Sequence, residues 1–192
     1  MKKITTKQIT TTALLLAICI ISQYFKNLSV YITGPVVNTT LILAVLGAGL
    51  YSGILLSVIA PITAFFFTGS PIMAAIPWMF PAVMAGNLVL VFFTYIFQNK
   101  ITFRHHLEIG LILGSIAKAV FMGVLIVLII LPAFGDNIAA KLPKPEMLPK
   151  ILATAKVTFS VTQLTTAMIG SVLALIIWIP LQKVLKNEIA ES

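Results

Sequence analysis

Residues 108–131 read EIGLILGSIAKAVFMGVLIVLIIL, and this run decides the fold. After Glu108 its single charge is Lys118, and it is longer than the ~20 apolar residues a helix needs to cross a bilayer. Five more apolar runs accompany it, at roughly 9–25, 35–49, 51–68, 73–97 and 154–182. The expectation is an all-α integral membrane protein, a six-transmembrane-helix bundle forming a single domain over residues 1–192. The second and third runs, split only around Gly47-Ala48-Gly49 and Tyr51-Ser52-Gly53, read as a tight hairpin.

Composition points the same way. Of 192 residues, 59% are hydrophobic and 9% charged, and mean hydropathy is +1.09. Globular domains carry about 25% charged residues. Thirteen Lys+Arg and five Asp+Glu cannot cover a soluble surface of this size. A cytosolic enzyme or a nucleic-acid-binding domain is therefore excluded, despite the net charge of +8. The basic residues mark segment ends instead: Lys2, Lys3 and Lys7, then Lys100 and Arg104, then Lys183 and Lys186. Lipid headgroups anchor such residues.

Three lysines precede the first run and only Lys26 follows it closely, which places the N terminus in the cytoplasm. With an even number of crossings both termini lie there, in a multi-pass protein of a bacterial plasma membrane. Lys26, Lys141, Lys144, Lys150 and Lys156 then fall outside. Ala13–Ile21 is followed by Ser22-Gln23-Tyr24-Phe25-Lys26, which lacks the small-residue cleavage site of a secretory signal. Cys19, alone in an apolar run, supports neither a disulfide framework nor a metal cluster.

The two halves of the chain do not mirror each other, which argues against a carrier built from inverted repeats. The outer connections are the irregular part. Thr33-Gly34-Pro35 and Thr68-Gly69-Ser70-Pro71 precede runs two and four, and Gly135–Lys150 carries Pro143, Pro145 and Pro149, which favour an extended, stiff segment. Together they read as a lid.

Small residues four apart let helices approach closely in lipid. Such pairs are Ala13/Ala17, Gly49/Gly53, Gly110/Gly114 and Gly170/Ala174. On the sixth run, positions 156, 160, 163, 167, 170 and 174 share a helical face and read Lys, Ser, Gln, Ala, Gly, Ala. The fifth run repeats the theme with Gly110, Gly114, Lys118 and Met122. These stripes are expected to face each other or a common cavity.

Lys118 lies about 13 Å into a hydrocarbon core about 30 Å thick. A charge there costs at least ~2.5–3.5 kcal/mol and calls for a partner. Yet Glu108, Asp136, Glu146, Glu188 and Glu191 all fall at run ends or in loops. Either a ligand anion supplies the counter-charge, or Lys118 binds helix carbonyls or Gln163. On the fourth run, Pro77 and Pro81 free backbone groups that need neighbours. Trp78 is an interfacial belt residue or a stacking surface for ligand. Asn87, with Asn38, Ser160 and Gln163, offers the few polar groups that orient a small molecule in an apolar site.

Catalytic chemistry is poorly represented. The dipeptide Gly-Lys never occurs, so there is no phosphate-binding loop. His105, His106 and Glu108 form the only cluster resembling a metal or acid–base group, and adjacent loop histidines are usually solvated. No cofactor is called for, and the protein is not expected to be an enzyme.

Six runs in about 190 residues, with Ala13-Leu14-Leu15-Leu16-Ala17 on the first and proline-rich outer loops, make the chain resemble the substrate-binding S component of energy-coupling factor (ECF) vitamin transporters. That resemblance implies a vitamin receptor without its own engine, working with a transmembrane coupling subunit and two ATPases. It also implies that Ala13 and Ala17 dock the coupling subunit, and that the pocket lies near the outer side. Asn38, Trp78, Asn87, Lys118, Met122, Lys156 and Gln163 are the substrate-binding candidates. The stretch Pro81-Ala82-Val83-Met84-Ala85-Gly86-Asn87, followed by a run bearing Lys118, looks most like the pantothenate branch. The rival readings are a receptor for niacin or a thiamin precursor, and a self-sufficient channel or secondary carrier.

Overall fold

The computed structural model describes residues 5–25, 29–140 and 145–191, and among these every regular element is helical. In chain order they are α1 (Thr6–Tyr24), α2 (Val30–Ala48), α3 (Leu50–Thr68), α4 (Pro71–Ala75), α5 (Met79–Asn99) and α6 (His106–Met122). The last continues through a π-helical stretch, Gly123–Ile130, into a closing turn, Leu131–Ala133. Then follow α7 (Gly135–Ala139), α8 (Leu148–Thr158) and α9 (Val161–Glu191).

Five stretches are long and apolar enough to cross a membrane by length and composition: Val30–Ala48, Leu50–Thr68, Met79–Asn99, His106–Ala133 and Leu148–Val184. The chain is an all-helical membrane bundle. α1 opens with Thr6-Lys7-Gln8 and Thr10-Thr11-Thr12, and so is less apolar than the others. Its start is fixed by a capping box. The Gln8 amide donates to Thr5 Oγ1 at 3.3 Å, and the Thr5 amide to Gln8 Oε1 at 3.0 Å. Gln8 Nε2 also donates to Ala48 O at 3.1 Å, tying the beginning of α1 to the end of α2.

Several boundaries differ from the sequence reading. α2 begins at Val30, so Thr33-Gly34-Pro35 is helical and not a connection. Ser29 caps it by accepting from the Tyr31 amide at 3.1 Å, and Pro35 falls early enough to cost only the bond to the carbonyl near that end. The hairpin between α2 and α3 is one residue, Gly49, at φ 94°, a conformation that favours glycine. Run four is interrupted at Ile76-Pro77-Trp78, so Pro77 precedes α5 and Pro81 lies in its first turn, where a missing N–H is tolerated. Within Gly135–Lys150 the described residues are largely helical and not extended; Pro149 sits in the first turn of α8. Lys2, Lys3, Lys26, Lys141, Pro143 and Lys144 lie outside the described residues.

α2 is the hub, packing on α1, α3, α5 and α9, while α5 and α6 pack along each other. Gly110 and Gly114 make the latter contact close: a Cβ at 114 would stand 2.9 Å from Phe93 Cβ, and one at 110 would strike Phe97. Two apolar clusters fill the bundle. One holds Leu41, Leu90, Val91 and Leu111; the other holds Met79, Ala82, Met122, Ile126 and Ile130. Asn87 falls between Ala82 and Leu90 on α5, and Lys118 between Leu111 and Met122 on α6. A polar layer thus separates the clusters.

Candidate functional site

Lys118 is 2% exposed. Its Nζ donates to Asn38 Oδ1 at 2.6 Å and to Asn87 Oδ1 at 2.9 Å, linking α6 to α2 and α5. Each asparagine is oriented by its other end. Asn38 Nδ2 donates to Gly34 O at 3.0 Å, and Asn87 Nδ2 to Ser57 O at 3.5 Å. Turning either amide over would set a donor against the Lys118 amine and an acceptor against a carbonyl, so both oxygens are committed to the lysine.

The Ser57 carbonyl is free for a local reason. In an α-helix it would accept from the amide four residues on, which is Pro61, and proline has no N–H. Asn87 takes the vacant acceptor. The sequence reading passed over Pro61, although a proline within an apolar run is the signal that a carbonyl one turn earlier needs a donor from elsewhere.

Neighbouring helices come close enough to seal the layer. A Cβ at Gly170 on α9 would stand 2.7 Å from Asn38 Cβ and 2.8 Å from Pro35 O. Thr39 Oγ1 lies 2.8 Å from Pro35 O and 3.0 Å from Gly170 O, sharing one proton between them. Ser115 Oγ and Ser171 Oγ are 3.1 Å apart, joining α6 to α9. A lysine ammonium has three donors. Two are used here, and among the described residues no carboxylate pairs with Lys118.

The other candidates are distributed around this layer. Met122, one turn from Lys118, is fully buried and fills the notch that Gly86 leaves; a Cβ at 86 would be 2.5 Å from Met122 Cγ. Trp78 is 62% exposed and lines an apolar cavity of about 420 Å³ with Pro81, Ala82, Leu125, Ile130 and Phe134. Ala82 stands one helical turn from Gly86, and Leu125 three residues from Met122. The order along the bundle is therefore cavity, Met122–Gly86 contact, polar layer. No sequence signal singled out Leu125, Ile130 or Phe134, because the π stretch resets which positions of α6 face inward.

The stripe read on run six holds only in part. Ala167, Gly170 and Ala174 are fully or nearly fully buried, but α8 ends at Thr158 and α9 starts afresh at Val161. Lys156 therefore stays exposed, Ser160 returns its hydroxyl to Lys156 O, and Gln163 is half-buried. None of the three has a hydrogen bond to Lys118 among the described residues. On α1, Thr12, Leu15, Cys19 and Gln23 face the bundle, whereas Ala13 and Ala17 face away with Leu14 and Ile18. No group of three or more His, Cys, Asp or Glu side chains able to hold a metal occurs among the described residues.

Comparison with known protein families matches residues 7–182 to ECF transporter, substrate-specific component. The chain belongs to this family. No curated protein and no solved structure matches it. ECF substrate-specific components are membrane-embedded transport subunits rather than enzymes, and they work with coupling and ATPase subunits on a small-molecule substrate. In this ECF component the match runs from the start of α1 into α9, ending at Gln182, so the polar layer, the apolar cavity and the outward alanines of α1 all lie within it.

Proposed function

We propose that this ECF component captures a carboxylate vitamin, with pantothenate the first candidate, and that Lys118 receives the carboxylate. The observation that carries the reading is a buried amine held by two amide oxygens, with one donor unused and no carboxylate beside it among the described residues. An anion brought to this amine gains a charge-assisted hydrogen bond in a site that excludes water. Asn38 and Asn87 stay on the lysine and hold its remaining donor ready for the anion. The geminal methyl groups of pantothenate suit the apolar cavity of Trp78 and Leu125.

Met122 closes the way between cavity and amine, and its flexible thioether can withdraw without opening a void. Lys156, exposed on α8, and Gln163, at the start of α9, serve the approach of the anion. In this reading six helices cross a bacterial plasma membrane with both termini in the cytoplasm, and the chain is one domain. Ala13 and Ala17 present the surface on which the coupling subunit docks. Energy comes from the partner ATPases, in agreement with the missing Gly-Lys dipeptide.

The test is titration calorimetry on the purified chain with pantothenate, niacin and thiamin, for wild type and Lys118→Ala. One carboxylate vitamin is expected to bind, and the substitution to weaken it at least about 100-fold, the cost of a lost charged contact of roughly 3 kcal/mol. Unchanged affinity in Lys118→Ala would remove the lysine from the site.

A further inference from the structure

At the opposite end of the bundle from Trp78, the α5–α6 connection and the latter part of α9 enclose a second cavity of about 380 Å³. Its two sides differ in chemistry. α9 contributes Leu175, Trp178 and Ile179, while the connection contributes Arg104, and Gln98 stands on α5. The apolar side continues onto lipid-facing residues of α9, Ile176 among them.

The polar side is short of partners. Glu108 is engaged by His105, Oε1 to Nδ1 at 3.3 Å, and His106 Nδ1 is 2.8 Å from Phe103 O. Arg104 has no carboxylate partner among the described residues, so its fork of donors is open. Gln98 Nε2 donates to Leu46 O at 3.4 Å, but Gln98 Oε1 is shut off from solvent and has no hydrogen-bond partner among the described residues. Native walls seldom leave an acceptor so. A guanidinium ready for an oxyanion, an acceptor lacking a donor and an apolar flank reaching the bilayer describe an amphiphile with an anionic, hydroxyl-bearing head.

We propose that this cavity binds the headgroup of an anionic glycerophospholipid, its phosphate on Arg104 and its acyl chains along Leu175 and Ile179, the Gln98 side chain turning its closed-off oxygen into the cavity to meet a headgroup hydroxyl. Basic pockets between transmembrane helices at the interface hold such headgroups, and the bidentate guanidinium selects phosphate over a neutral surface. The site is independent of Lys118, which lies in the polar layer near mid-bundle.

The experiment uses the full chain in nanodiscs of phosphatidylcholine alone and of phosphatidylcholine with phosphatidylglycerol. Native mass spectrometry after release, together with thermal unfolding, is read for wild type, Arg104→Gln, Arg104→Lys and Lys150→Gln, the last altering an exposed lysine on α8, away from the cavity. Wild type is expected to retain phosphatidylglycerol and to unfold at higher temperature in its presence. Arg104→Gln is expected to lose retention about tenfold, Arg104→Lys to lose less, and Lys150→Gln to match wild type. Equal retention by wild type and Arg104→Gln overturns the proposal, as does equal retention of the two lipids. Inorganic phosphate is the separate arm. Protection by millimolar phosphate without lipid selectivity makes this a free-anion site and overturns the lipid assignment. Vitamin affinity, measured alongside, is expected to be the same in wild type and Arg104→Gln, which keeps the outcome distinct from that of the Lys118 site.

Discussion

Pro61 and Asn87 are linked through one atom, the Ser57 carbonyl oxygen, which Pro61 cannot occupy and Asn87 does. A helix irregularity on α3 thereby sets the direction of an amide on α5, which in turn aims an oxygen at Lys118 on α6. Pro61→Ala returns an N–H to that carbonyl and competes with Asn87. Ligand affinity is expected to fall several-fold while thermal stability stays level or rises, since a helix-interior proline costs about 3 kcal/mol against alanine. Calorimetry and an unfolding curve on the same sample check it, and unchanged affinity would disconnect Pro61 from the site.

Asn87→Asp separates the need for charge from the need for shape. A carboxylate 2.9 Å from the Lys118 amine supplies the missing counter-charge internally but gives up the donation to Ser57 O, so the variant is expected to fold with about wild-type stability. It should lose ligand binding, because the amine is no longer available to an outside anion. Asn87→Leu instead removes an acceptor from a buried amine and is expected to destabilise by about 1–3 kcal/mol. If Asn87→Asp binds the vitamin as wild type does, the anion does not meet Lys118.

Gly86 and Met122 are expected to behave as a matched pair. Gly86→Ala places a methyl group 2.5 Å from Met122 Cγ and overpacks the contact, at a cost of about 1–3 kcal/mol. Adding Met122→Ala should recover most of that loss and, by thinning the barrier above Lys118, raise the association rate of the ligand. Stopped-flow fluorescence from Trp78 follows the rate. Independent, additive effects of the two substitutions would show that they do not share the notch.

Ala13 and Ala17 face away from the bundle, so bulky replacements there meet nothing inside this chain. Ala13→Trp with Ala17→Trp is expected to leave vitamin binding by the isolated protein intact and to abolish uptake in vesicles containing the coupling and ATPase subunits. Persistent uptake would place the docking surface elsewhere.

Much of this was legible in the residues because lipid enforces simple rules. Long apolar runs must be helical, and a charge such as Lys118 must turn inward and find polar company. Asn38 and Asn87 were readable as polar groups of the site, but not as the partners of Lys118, for which the residues offered helix carbonyls, Gln163 or a ligand. Lys156 and Ser160 do not continue the buried face of α9, because a periodic face is a valid argument only along an unbroken helix, and nothing in Phe159-Ser160 announces a break. Pro77 and Pro81 read as freeing backbone groups within a span, yet both fall at a beginning, just before α5 and in its first turn. The bonds that aim Asn38 and Asn87 depend on carbonyls of α2 and α3 brought close by packing, which no one-dimensional pattern contains.

Gly49 is the entire joint between α2 and α3, and a joint of one residue has no slack. Asn38 on the first helix and Ser57 on the second are therefore held on one lever. Any opening of the polar layer around Lys118 is therefore expected on the α5 and α6 side.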